Sequence, residues 1–503
     1  MLLKLRIIFS ILNIIYAILY RIVLLIRKKP QRIPPITDSL LTFSATALAK
    51  KIRQREITCY DVVNTHIQHI KKVNCTLNAV IDNRFDEAIF EANICDEQLA
   101  NDKFDIKTLE KEKPLYGIPV TVKECCAVKG CSHTGCSLGR KGMKASYDAL
   151  VIKLLRNAGA IPVCVTNTPE MCCGFESSNL LHGRTRNPYD TRYTSGGSSG
   201  GEGALLGAGA SVIGIGSDLG GSVRLPALFN GIFGHKPTAE IISNIGHIPE
   251  SEDKFYQKFL TFGPMTRYAE DLGVFMKVLT STSDHNLRLE VPVDLRQLKV
   301  YYRFGMDDAL GTLPVVPEIK DCVLKTVTHF TQYDIRPEKE ISNLLVDASD
   351  PKLKKNPAIE ILKIPFGLSQ HTMQTTFFAL MFETHFPFSE SDISHYTKQG
   401  KAIRQKLLDL LGENGIFIYP TFRCPAIFSE FMLCETLNEV YCAIFNVFGF
   451  PAVHIPMGLN HEGLPIGVQV IAAPYQDRLC LAVAKELETA FGGWVPPSIS
   501  LNN

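Results

Sequence analysis

Two stretches decide the reading of this chain: Thr194-Ser-Gly-Gly-Ser-Ser-Gly-Gly-Glu-Gly203 and Gly214-Ile-Gly-Ser-Asp-Leu-Gly-Gly-Ser-Val-Arg-Leu-Pro226. Each is a glycine loop that carries a serine. In the second, Gly220 and Gly221 strip side chains from the backbone just before Ser222, so a reacting carbonyl can come close. The N–H groups of Leu219, Gly220, Gly221 and Ser222 can then converge on a developing oxyanion. Ser222 is therefore the candidate nucleophile. A serine hydroxyl needs a base, and the common solution is a histidine held by a carboxylate. The nearest histidine in sequence is His235, and nothing in the chain marks an acid partner for it. The first loop offers the hydroxyls of Ser198 and Ser199 instead. Gly214-Ile-Gly-Ser-Asp-Leu-Gly220 also has the outline of a dinucleotide loop, but its third glycine falls one residue late and no helical run is expected after it.

Taken together, the loops resemble the signature of the amidase signature family, serine hydrolases that use Ser-Ser-Lys in place of Ser-His-Asp. Ser198 stands 24 residues before Ser222, the interval that family keeps between relay serine and nucleophile. Lys123, in Tyr116-Gly-Ile-Pro-Val-Thr-Val-Lys-Glu124, matches the family's upstream lysine, and Phe448-Gly-Phe-Pro-Ala452 and Gly463-Leu-Pro-Ile-Gly-Val-Gln-Val470 match its C-terminal strand motifs. The resemblance implies an α/β fold, one large domain with a mixed twisted sheet surrounded by helices. It implies Lys123, Ser198 and Ser222 as the catalytic set and Leu219 to Ser222 as the oxyanion hole. Ser199 and Cys172 are implied as substrate contacts. No metal and no cofactor are implied.

That chemistry makes a physical demand. Lys123 must be neutral to take a proton through Ser198, and an exposed lysine is protonated at neutral pH. Burial is the lever, because desolvation disfavours the ammonium. Alternation in Ile118-Pro-Val-Thr-Val122 predicts a buried strand that supplies it. Glu124, next in sequence, is expected on the opposite strand face. Asp218 and Arg224 flank the glycine turn and read as braces, an acid and a base joined by charge-assisted hydrogen bonds.

Helical patterns at Thr46–Arg53 and Asp61–Ile70 alternate with short apolar strands such as Ile161–Val165, which fits α/β. At 503 residues two domains would be the default, yet no linker divides the chain, so residues 40–495 are taken as one catalytic domain. Residues 241–400 carry no motif. A net charge of +2, with no basic stripe, argues against a nucleic-acid partner. The 15 cysteines lack paired metal-ligand spacing and read as reduced thiols. One sequon, Asn74-Cys-Thr76, carries little weight.

The N-terminus is the second informative segment. Ile7–Ile26 is a run of 20 mostly apolar residues, long enough to cross a hydrocarbon core of roughly 30 Å. Arg27-Lys-Lys-Pro30 follows with no small-residue cleavage site, so residues 1–30 are expected to stay as a membrane anchor. Arg6, Ser10, Asn13, Ala17, Tyr20 and Arg21 share one helical face, which also suits a helix lying in the interface plane. The heavier positive flank at Arg27, Lys28, Lys29 and Arg32 favours a cytoplasmic catalytic domain, on an endoplasmic-reticulum or lipid-droplet type of membrane.

Core plus anchor resembles the lipid-amidase branch of the family, whose substrates are long-chain fatty acid amides, both primary amides and N-acylethanolamines. Phe377-Phe-Ala-Leu-Met-Phe382 with Phe386 and Phe388 is then a candidate for the wall of an acyl channel or for a membrane-contacting surface, although an aromatic-rich helix of this kind is more often ordinary core. A homodimer is left open. Three other readings stay in play: a short-chain amidase or esterase, a membrane-anchored binding protein without catalysis, and a glutaminase-type amidotransferase subunit.

Overall fold

The computed structural model describes residues 18–20, 22–25, 29–101, 103, 105–306, 313–333, 335, 338–339 and 390–497. The apolar runs form strands that join in a sheet of eleven: β1 (Val80–Asn83), β2 (Pro119–Lys123), β3 (Ile161–Thr166), β6 (Ile213–Asp218), β7 (Phe233–Lys236), β8 (Thr261–Thr266), β9 (Lys299–Tyr302), β10 (Glu338–Lys339), β11 (Gly415–Tyr419), β12 (Ala452–Leu459) and β13 (Pro465–Ala472). Its order is β1-β3-β2-β6-β8-β7-β12-β13-β11-β9-β10. A small hairpin, β4 (Ser178–Asn179) with β5 (Gly183–Arg184), stands apart. The sheet is mixed, as expected: β2 runs parallel to β3 and β6, while β6, β8, β7, β12 and β13 alternate antiparallel.

Helices cover the sheet for local reasons. Ser44 accepts from the Ala47 N–H and opens the helix Ala45–Arg53, and Thr58 does the same for Asp61 at the head of Cys59–Leu77. The latter ends at Asn78 in the left-handed region (φ 52°) and buries Val62, Val63, Ile67, Ile70, Val73 and Leu77. The sequon residue Asn74 has a structural use here, its side-chain oxygen accepting from the N–H groups of Ala79 and Val80.

One register fact positions the site. β2 and β6 are parallel neighbours with Val122 opposite Ile215, so Lys123 at the end of β2 and Ser217 near the end of β6 both lie at the carboxyl edge of the sheet, where their side chains meet. That edge is where open parallel sheets gather ligands. Contrary to the expectation from the sequence, a helix, Arg224–Asn230, follows the second glycine loop.

Among the described residues, no helix is long and apolar enough to cross a membrane. The described part of the N-terminal run, 18–20 and 22–25, is helical. Tyr20 stacks on Phe428 (4.9 Å between ring centres), and Val23 packs on the same aromatic cluster. Ile18, Leu19, Ile22 and Leu25 are exposed. The remainder of that run, and the Phe377–Phe388 stretch, lie outside the described residues.

Candidate active site

Lys123 ends β2 with no solvent exposure. Its Nζ lies 2.7 Å from Ser198 Oγ, 3.0 Å from Ser217 Oγ and 3.3 Å from the Ser217 carbonyl oxygen. Among the described residues it makes no ion pair. The carbonyl can only accept, so one N–H points there. The direction of the Ser217 bond follows from His247. His247 Nδ1 is 3.1 Å from the Pro249 carbonyl and so carries the proton, which leaves Nε2 bare at 2.9 Å from Ser217 Oγ. Ser217 therefore donates to His247 and accepts from Lys123. A neutral amine with both N–H groups so used keeps its lone pair for the Ser198 hydroxyl.

The loop bearing Ser198 is pinned from below. Ser177 Oγ donates to the Ser198 carbonyl (3.1 Å) and accepts from the Gly200 N–H (2.8 Å). The Gly197–Ser198 peptide is cis, and a Cβ on Gly197 would come 2.6 Å from the Glu176 nitrogen. Ser199, expected as a substrate contact, is held within the protein here. It is fully buried, and its Oγ lies 3.3 Å from the Ser217 carbonyl and 3.4 Å from the Ser217 nitrogen, so it ties this loop to β6.

Ser222 sits across from that pair. Its carbonyl accepts from the Ser199 N–H (3.1 Å), while its hydroxyl makes no hydrogen bond with a described residue. Catalytic bonds are often open before substrate arrives. Gly221, at φ 131°, has room for no side chain, since a Cβ would fall 2.7 Å from Cys442 Cβ. Its N–H donates to Asp218 Oδ1 (2.7 Å), which narrows the expected oxyanion set to Leu219, Gly220 and Ser222.

Asp218 and Arg224 brace this turn, both fully buried. Arg224 Nε and Nη2 each reach the carboxylate at 3.1 Å, and Asn446 Nδ2 adds a bond at 2.9 Å. Burial by itself would push the acid up, but the Arg224 charge and bonds outweigh it and hold Asp218 below the usual carboxylate range. Arg224 is completed by Gln469 Oε1 (2.9 Å), from the Gly463–Val470 motif, and by Asn446 Oδ1 (2.6 Å), which no sequence pattern singles out. Glu439 carries no such pattern either: its Oε1 lies 2.6 Å from where a Gly220 Cβ would be, and burial raises its pKa well above the ordinary value.

His235 does have an acid partner, Asp477, at 3.0 Å and 242 residues away. That acid also takes the Thr238 N–H and hydroxyl, so the pair ties β7 to the head of the helix Asp477–Phe491. Glu124 faces away from the lysine and accepts from Ser132 and Thr134. Cys172 lies in a tight turn at φ 59°, its Sγ 3.6 Å from both Thr168 Oγ1 and the Ile248 carbonyl. Cys125, Cys172 and His247 come together behind the lysine, their ligand atoms within 4.8 Å of one another, an association no sequence spacing announces.

The amidase family profile matches residues 61–481. This chain belongs to the amidase family. It is an amide-hydrolysing enzyme, similar to fatty-acid amide hydrolase 2 of Homo sapiens, with 38% identity across 92% of each chain. Fatty-acid amide hydrolase 2-B of Danio rerio is also 38% identical, across 94% of each. A glutamyl-tRNA(Gln) amidotransferase subunit from Fusobacterium nucleatum is 26% identical across 91% of this amidase and 98% of its own length. The solved structure of a fatty acid amide hydrolase shares the fold, with a TM-score of 0.71 at 23% identity, covering 91% of this chain and 86% of that one.

Proposed function

We propose that this amidase hydrolyses long-chain fatty acid amides to fatty acid and amine, with Ser222 as nucleophile and Ser198 and Lys123 as its proton relay. The observation that carries the mechanism is the 2.7 Å contact between Lys123 Nζ and Ser198 Oγ in a site without a counter-ion among the described residues. Ser222 Oγ attacks the carbonyl carbon as its proton passes to Ser198, whose own proton passes to Lys123. The oxyanion gathers the N–H groups of Leu219, Gly220 and Ser222, which have no protein partner among the described residues. The amine leaves with a proton returned along the relay, and water then cleaves the acyl-enzyme.

Support for the lipid substrate comes from the relatives' names and from the N-terminal helix. With Tyr20 and Val23 docked on the domain, the exposed Ile18, Leu19, Ile22 and Leu25 suit a helix lying in a membrane interface. Membrane-borne substrate would then meet the enzyme where it is already dissolved.

The test labels the protein with a fluorophosphonate, maps the label by peptide mass, and compares turnover of oleamide, a short-chain amide and glutamine. Label on Ser222 is expected, with oleamide preferred and turnover reduced at least about 10⁴-fold in Ser222→Ala. Preference for glutamine would move the reading to the amidotransferase class, and label elsewhere would remove Ser222 from the mechanism.

A further inference from the structure

Behind Lys123, on the side away from Ser198, stand two thiols and an imidazole that the proposed reaction does not use. Cys125 follows the lysine by two residues, Cys172 comes from the turn after β3, and His247 comes from the loop before β8. Their ligand atoms lie within 4.8 Å of one another. Ser217 Oγ is beside them, 3.4 Å from Cys125 Sγ and 2.9 Å from His247 Nε2. Cys125 and His247 are buried, while Cys172 is partly exposed and opens a way in.

We propose that Cys125, Cys172 and His247 bind a soft divalent cation of the zinc class, and that its binding switches off the relay. Two thiolates and one imidazole are a donor set suited to such an ion. Tetrahedral zinc ligands stand roughly 3.8 Å apart, so closing the set takes shifts of about an ångström. The independent feature is the Pro249 carbonyl, which holds the proton on Nδ1 and aims a bare Nε2 into the cluster. Ligating histidines are oriented in this way by a carbonyl or carboxylate on the far nitrogen.

The consequence for catalysis follows from proton counting. Binding releases the two thiol protons to solvent and occupies His247 Nε2. Ser217 then loses the imidazole as acceptor, and its hydroxyl is left between the Cys125 sulfur, 3.4 Å away and engaged by the ion, and the nearer Lys123 lone pair at 3.0 Å. A Ser217 hydroxyl that donates to Lys123 competes with Ser198 for that lone pair. The inhibitory step rests on the proposed role of Lys123, whereas binding does not.

The experiment titrates the metal-free, full-length protein with Co²⁺ and Zn²⁺. One equivalent of Co²⁺ is expected to give a thiolate-to-cobalt charge-transfer band, which Zn²⁺ displaces, with affinity rising as pH rises. Zn²⁺ should protect Cys125 and Cys172, mapped by mass, from maleimide. Cys125→Ser, Cys172→Ser and His247→Gln should each weaken binding by about 100-fold, a ligand counting for at least as much as the 10- to 100-fold of an outer-shell partner. Because the protection assay uses the unaltered protein, a variant that fails to fold leaves the test intact. No thiolate band, or protection confined to other cysteines, overturns the site. A band without loss of amide turnover overturns the switch, and absence of oleamide turnover in metal-free protein counts against the proposed substrate alone.

Discussion

Two carboxyl groups lie in the serine loops, both fully buried, and their surroundings shift their ionisation in opposite directions. Asp218 closes the nucleophile turn and meets Arg224, Asn446 and the N–H groups of Gly221 and Val223. Glu202, in the helix Gly200–Gly207, takes its hydrogen bonds from hydroxyls, Thr121 Oγ1 at 2.6 Å and Thr166 Oγ1 at 2.7 Å. Burial drives both acids toward the neutral form, but the guanidinium reverses it for Asp218, whereas Glu202 is pushed up to about 7. Burial alone therefore does not decide charge; the partner does. The contrast suits the proposed mechanism. Thr121 and Lys123 share a face of β2, so the acid on the lysine's side is the one that burial pushes up, with the Lys123 charge pulling the other way.

The largest effect should come from breaking the ionised member. Arg224→Met leaves Asp218 buried and unpaired, and removal of one partner of a buried pair costs about 3–5 kcal/mol. Chemical denaturation measures it, and amide turnover should fall with it because the Gly221 and Val223 N–H groups depend on the same carboxylate. A loss below about 1 kcal/mol would mean that the network of Asn446 and backbone bonds holds Asp218 without the guanidinium. The sign with pH is fixed by the lowered pKa. Stability from Asp218 is complete above its unfolded value near 3.9 and is lost as pH falls through the still lower folded value. Acid unfolding of Asp218→Asn should lack that part of the slope.

Which of these features are legible in the sequence follows the distance between partners. The serine loops are legible because glycine and serine are local signals, Lys123 is picked out by the family resemblance, and the β2 and β3 strands fall where the apolar runs put them. The Asp218–Arg224 brace is legible because its members lie six residues apart. Asn446 and Gln469, which complete Arg224, and Asp477, which holds His235, come from more than 200 residues away; Gln469 sits in a motif that does not reveal its partner, and the other two carry no pattern of their own. Cys125, Cys172 and His247 are hidden for the same reason. The helix Arg224–Asn230 is hidden by its own chemistry: it is seven residues long, and Pro226 reads as a breaker. Pro226 is its third residue, inside the first turn where proline is tolerated because that N–H has no helical partner anyway.

The neutral member of the comparison gives the smaller and more selective prediction. An acid whose folded value is about 7 holds its proton in the native state after the unfolded chain, near 4.5, has lost it. Native protein then binds more protons, so stability is full below about 4.5, declines as pH rises to about 7, and is level above that. The slope is at most about 1.4 kcal/mol per pH unit, on the order of 3 kcal/mol across the window. Glu202→Gln removes the titration and keeps a neutral side chain of the same shape, able to donate to one threonine hydroxyl and accept from the other. Its stability should therefore be flatter than wild type between pH 4.5 and 7 and, near pH 7, equal to it or higher. A variant with an unchanged slope and a uniform loss would show instead that Glu202 is ionised in the fold. Lys123 would then face a carboxylate across Thr121, and its role as the base would need a different source of neutrality.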